Sequence, residues 1–235
     1  METAPPAIIC SSRSRRVIPL QPRRIRKAVS DMDFLLLKHV RKGAALAVWA
    51  GVVWMGVAGI HRGLWLDEAW VANSLRSATW GEMWWGGEWL QTSPPLFLAL
   101  GRVWLAVAGL SVEALRVVPL VFALVAVGAV MAASPVKWRA LAAAAVFAGV
   151  GPEYFFSFKQ FGAEAAAVAV VLWVASLERP WVLVVVTALL LPLAYPIAFL
   201  LPGLVWLVEP RKRIQAAAIW GAVLAALYWE FVRPN

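Results

Sequence analysis

A succession of long apolar runs constrains this chain more than any other feature. They cover 44–60, 94–110, 117–134, 140–156, 162–177, 181–195, 196–209 and 214–231. Several approach the ~20 residues that a helix needs to cross a bilayer core. None alternates polar and apolar residues as the strands of a membrane barrel do. Composition agrees, with 62% hydrophobic and 15% charged residues, where soluble domains carry ~25% charged. The expected fold class is all-α, a polytopic transmembrane helical bundle. The single cysteine, Cys10, excludes an intramolecular disulfide and a thiol metal cluster.

Eight runs leave a question of parity. If 94–110 lies along the outer surface instead of crossing, sixteen of the twenty-two Lys and Arg residues fall inside, and eight of the thirteen acids fall outside. The positive-inside rule prefers that arrangement. Arg102 sits in the middle of this run, and a centred arginine costs roughly 2.5 kcal/mol or more. The stretch 181–210 is too long for one crossing, and Ala194-Tyr195-Pro196 supplies a break. The expected topology has an inner N-terminus, about seven spans, and one large outer loop at 61–115.

Residues 1–42 carry ten Lys and Arg against three acids. Such a block before a first span holds a segment in the cytoplasm and is attracted to anionic lipid. The net charge of +9 is therefore assigned to membrane topology and not to nucleic acid. Its Ser, Arg and Pro content predicts a disordered tail over 1–42, of which 1–31 reads as an over-long start ahead of Met32. The rest, 43–235, reads as one transmembrane module.

The outer loop holds Trp65, Trp70, Trp80, Trp84, Trp85, Trp89 and Trp104, a density suited to the headgroup layer. Two surface helices are predicted there, near 66–80 and 94–110. Gly81, Gly86 and Gly87 should separate them, and Ser93 should cap the second ahead of Pro94. A connector of over fifty residues implies a function of its own.

The adjacent carboxylates Asp67 and Glu68 open the first surface helix, and ionisable groups near lipid are costly unless used. On this topology they share a side with Glu113, Arg116, Glu153, Lys159, Glu164 and Tyr195. A carboxylate can take a proton from an attacking hydroxyl. Arginine or lysine can hold a phosphate and offset charge on its leaving oxygen. The set suits group transfer from a lipid phosphate. Glu153 and Glu164 read as solvated rather than catalytic. No zinc ligand set is present, and a divalent ion held by acidic side chains stays an open alternative.

At these residues the chain resembles the GT-C class of polytopic glycosyltransferases, in the branch with protein O-mannosyltransferases and aminoarabinose lipid A transferases. The matching pieces are Asp67-Glu68-Ala69, Ser93-Pro94-Pro95-Leu96, the stretch from Gly109 to Pro119 with Arg116, and Phe158-Lys159-Gln160-Phe161-Gly162. The Tyr195-Pro196 step resembles bacterial members, and the pieces run in order from about 32 to 210. The resemblance implies a polyprenyl-phosphate-linked sugar donor, an envelope lipid, glycan or protein acceptor on the outer face, and inversion at the anomeric carbon. It implies a bacterial inner membrane, with Asp67 as base or acceptor-orienting carboxylate and Glu68 in support. Arg116 and Lys159 are the candidates for the donor phosphate on charge and side, and Tyr195 is a further substrate-binding candidate.

Family members usually continue with more spans and often a soluble domain, whereas this sequence stops at Asn235. The expectation is a front module, completed by further sequence or a partner chain. A non-catalytic membrane subunit or remnant is the alternative. A small transporter or flippase ranks last, because no internal repeat or mid-span charge is evident.

Overall fold

A computed structural model describes residues 22–77, 79–84, 93–136 and 138–232. The chain divides into two compact units, Met1–Val40 and Arg41–Asn235. All regular structure among the described residues is helical: α1 (Pro22–Ala58), α2 (Leu66–Ser74), α3 (Trp80–Trp84), α4 (Pro95–Ala108), α5 (Val112–Ala133), α6 (Arg139–Val150), α7 (Pro152–Phe155), α8 (Gln160–Ala175), α9 (Pro180–Leu190), α10 (Ile197–Leu207) and α11 (Arg213–Leu227). A 3₁₀ turn, Pro210–Lys212, precedes α11, and a π-helical turn, Tyr228–Val232, follows it.

The helices stand where the apolar runs predict them, but their lengths correct the expectation. Among the described residues one helix, α5 with 22 residues, is long and apolar enough by length and composition to cross a membrane. The other apolar helical segments are 11–17 residues long. The shortening has local causes. Gly151, at φ +86°, separates α6 from α7, a backbone state that costs other residues more than glycine. Pro152 and Pro180 each restart a helix in its first turn, where their missing N–H goes unmissed.

Two further expectations change. The segment 22–42, read as disordered, is the opening of α1, while 1–21 lie outside the described residues. Arg and Lys mark a charged tail but are also good helix formers. The predicted surface helix 66–80 is two helices. Ser77 N–H bonds to the Ser74 carbonyl past the end of α2, and a reciprocal Thr79–Glu82 capping box starts α3. Gly81 lies inside α3, and Gly86 and Gly87 lie outside the described residues.

The centre of the larger unit is the α5–α8 pair, the most extensive helix packing in it. Ala123, Ala126 and Ala129 of α5 and Ala163, Ala166, Ala167 and Ala169 of α8 are buried. Small side chains let two backbones approach closely. One core cluster joins Val52 of α1 to α5, α6 and α8. The other joins α8 to α9, α10 and α11, where the buried Trp220 indole donates to the Val184 carbonyl at 3.0 Å.

The described parts of 61–115 pack against this bundle. α4 is tied to α5 by the Trp104 indole, which donates to the Ala114 carbonyl at 2.7 Å. Its first turn meets the α9–α10 connection through Leu96 N–H and the Pro192 carbonyl at 3.1 Å. Ser93 does not cap α4, since Pro94 holds that position. The Ser93 hydroxyl is buried and donates instead to Gln160 Oε1, at the start of α8, at 2.9 Å. Arg102 donates to the Thr79 carbonyl at 2.9 Å and lies 4.8 Å over the Trp80 ring, so its charge is met within the loop.

Candidate active site

Trp65 is extended, with ψ 160°, and starts α2 as its N-cap. That places Asp67 and Glu68 in the first turn, where the helix dipole favours carboxylates. Adjacent residues on a helix point about 100° apart, and here the difference decides their roles. Glu68 turns inward and is 1% exposed, whereas the Asp67 side chain remains 58% exposed.

Inside, Glu68 meets Arg116 of α5 in a two-pronged pair. Oε1 accepts from Nη1 at 2.5 Å and Oε2 from Nη2 at 2.9 Å. The same oxygens accept Phe158 N–H at 2.5 Å and Trp65 N–H at 2.8 Å. Arg116, 7% exposed, also donates to the carbonyls of Phe156 and Gly63 at 2.8 Å and of Arg62 at 3.3 Å. These bonds use all five guanidinium N–H groups and the four usual acceptor positions of the carboxylate. The saturated pair joins the end of α1, the start of α2, α5 and the connection into α8. Arg116, expected to contact a donor phosphate, therefore has no N–H left for one.

Outside, Asp67 accepts a hydrogen bond from the Lys159 ammonium, whose side chain is 24% exposed. Lys159 Nζ also lies 5.7 Å from the Phe161 ring centroid. The Lys159 backbone is extended, with φ −134°, before α8 begins. Gly162 lies in the first turn of α8 with its α-carbon against the Phe155 carbonyl. A Cβ there would come within 3.0 Å of that oxygen, so glycine permits this approach of α8 to α7.

A cavity of about 450 Å3 opens at this end of the bundle. Asp67, Glu68, Arg116 and Lys159 all line it, together with Arg62, Trp65, Glu153, Tyr154, Ser157 and Phe161. Four of the five site residues expected from sequence thus come together. The fifth, Tyr195, does not line this cavity. It lies in the α9–α10 turn, half-buried, where burial first and the Glu164 charge second push its hydroxyl above the ordinary tyrosine range. Glu113, grouped on the same side by topology, faces His61 at 3.3 Å on the exposed rim. Among the described residues no group of three or more His, Cys, Asp or Glu side chains could hold a metal ion.

Arg62, between the end of α1 and the Asp67-Glu68 pair, also lines the cavity and is absent from the residues expected from sequence. Comparison with family models, curated proteins and solved structures found no match to this chain.

Proposed function

We propose that this chain is a membrane glycosyltransferase module of the GT-C type, transferring a sugar from a polyprenyl-phosphate donor to a hydroxyl acceptor. The convergence of Asp67, Glu68, Arg116 and Lys159 on one cavity carries this reading. Their partners lie 48 and 92 residues apart in sequence. In this reading the Asp67 carboxylate takes the acceptor proton as the acceptor oxygen attacks the anomeric carbon. The bond from that carbon to the phosphate oxygen breaks on the opposite side, which inverts the centre. Polyprenyl phosphate leaves with its charge offset by Lys159. The saturated Glu68–Arg116 pair holds Asp67 in place and does not touch substrate.

The membrane reading rests on the outward faces. Trp54, Val107, Phe199, Trp206 and Ile214 are large, apolar and exposed, more than a soluble surface ordinarily shows. α4 buries Phe97, Leu98 and Gly101 on one face and exposes Leu100, Val103 and Val107 on another, as suits a helix lying along an interface. In the seven-span arrangement, α9 and α10 with 11 residues each are only about 17 Å long. There the bilayer thins or the flanking turns enter it. The N-terminus lies in the cytoplasm and the cavity opens outside, at the inner membrane of a bacterium. Membrane lipid is the surrounding partner.

The test is transfer of radiolabelled sugar from a panel of polyprenyl-phosphate donors, in membranes expressing the chain. Asp67→Asn is the paired control. Label moved by the wild type and lost in the variant supports the reading. No transfer by a folded wild type favours the non-catalytic subunit, and equal transfer by both removes Asp67 from the chemistry.

A further inference from the structure

Six charged residues among those described line the cavity, and they differ in what they have left to offer a ligand. Glu68 and Arg116 are saturated by each other and by backbone. Asp67 and Lys159 are paired. Arg62 and Glu153 remain, and the exposed Arg62 guanidinium has no hydrogen bond or ion pair among the described residues. Its backbone, in contrast, is fixed. Arg62 N–H bonds to the Gly59 carbonyl at 3.0 Å, and its own carbonyl accepts from Arg116 Nε at 3.3 Å.

We infer that Arg62 is the phosphate-recognition residue of this cavity, a part expected from the sequence for Arg116 and Lys159. The inference rests on the proposed function for its choice of ligand, a phosphate ester. A guanidinium offers a planar fork of donors that matches two phosphate oxygens, and among the described residues lining the cavity only Arg62 presents an unused fork. Arg116 contributes indirectly, by gripping the Arg62 and Gly63 carbonyls so that the Arg62 side chain starts from a fixed point. Lys159 contributes second, because a phosphate must share it with Asp67. Glu153 lies in the same cavity and opposes an anion.

Binding to the full chain in lipid nanodiscs tests this, with radiolabelled decaprenyl phosphate as probe and neutral decaprenol as reference. Arg62→Ala is expected to weaken the phosphate probe at least tenfold and leave decaprenol unchanged. Arg62→Glu should abolish phosphate-dependent binding, and Glu153→Gln should hold or tighten it. Inorganic phosphate competing at millimolar concentration would mark a seat for the free anion. Failure to compete would mark a lipid headgroup held with its chain. Wild-type affinity in folded Arg62→Ala protein would overturn the assignment, as would equal weakening by Glu153→Gln. Phosphate binding that depends on Arg62 without any sugar transfer would sink the transferase reading and leave this one standing.

Discussion

Asp67 and Glu68 are neighbours in sequence, carry the same charge and each face a cation, yet the two ion pairs have opposite physical characters. Glu68–Arg116 is buried and each partner is fully hydrogen-bonded, so neither charge is available to anything else. Asp67–Lys159 is open to the cavity and rests on a single contact. The inner pair is therefore architecture, and the outer pair is free to exchange partners.

The sharpest way to break this contrast is to remove one member of the inner pair. Breaking a buried ion pair typically costs about 3–5 kcal/mol, because the remaining charge is stranded. Arg116→Met or Glu68→Ala should leave little folded protein, read as protease sensitivity of the 61–115 loop and a lowered Tm in detergent. Arg116→Lys should fail nearly as badly, since a lysine cannot supply five donors in a fork.

Asp67→Asn should behave in the reverse manner. On the proposed function, sugar transfer should fall about 10²- to 10⁴-fold, the range for losing a general base, while thermal unfolding stays close to wild type. A large drop in Tm would erase the distinction between the pairs.

Between these extremes lies a neutral buried link. Ser93→Ala removes the hydroxyl that joins the loop to Gln160 and should cost about 1 kcal/mol, measured by denaturant unfolding. The smallest effect belongs to the outer pair as a stabiliser. A double-mutant cycle of Asp67→Ala and Lys159→Ala should return less than about 1 kcal/mol of coupling, shrinking with added salt. A coupling of several kcal/mol would make the outer pair structural too.

Much of the fold was legible because charge and proline are sparse among apolar runs, so each one punctuates. The runs 117–134 and 162–177 lie largely within α5 and α8. Arg116 and Lys159 stood out for the same reason. Their pairing did not, because it depends on contacts 48 and 92 residues apart and on the Phe158 backbone N–H, which no side-chain pattern records. Tyr195 was misgrouped because topology assigns a side of the membrane, not a position on that side. Ser93 was misread because a hydroxyl before proline resembles a cap until its partner in α8 is known. The length of each helix was the least readable quantity, since it depends on where single glycines and prolines interrupt otherwise uniform apolar sequence.

The reach of the Glu68–Arg116 junction also imposes an order of assembly. Its bonds draw on residues 62, 63, 65, 156 and 158, so two of these five partners are synthesised some ninety residues after the other three. A ribosome-bound chain that has not yet delivered Phe158 holds Glu68 one donor short, with α2 not yet anchored to its final neighbours. The junction is thus completed only by the turn between α7 and α8, which closes on residues made long before it.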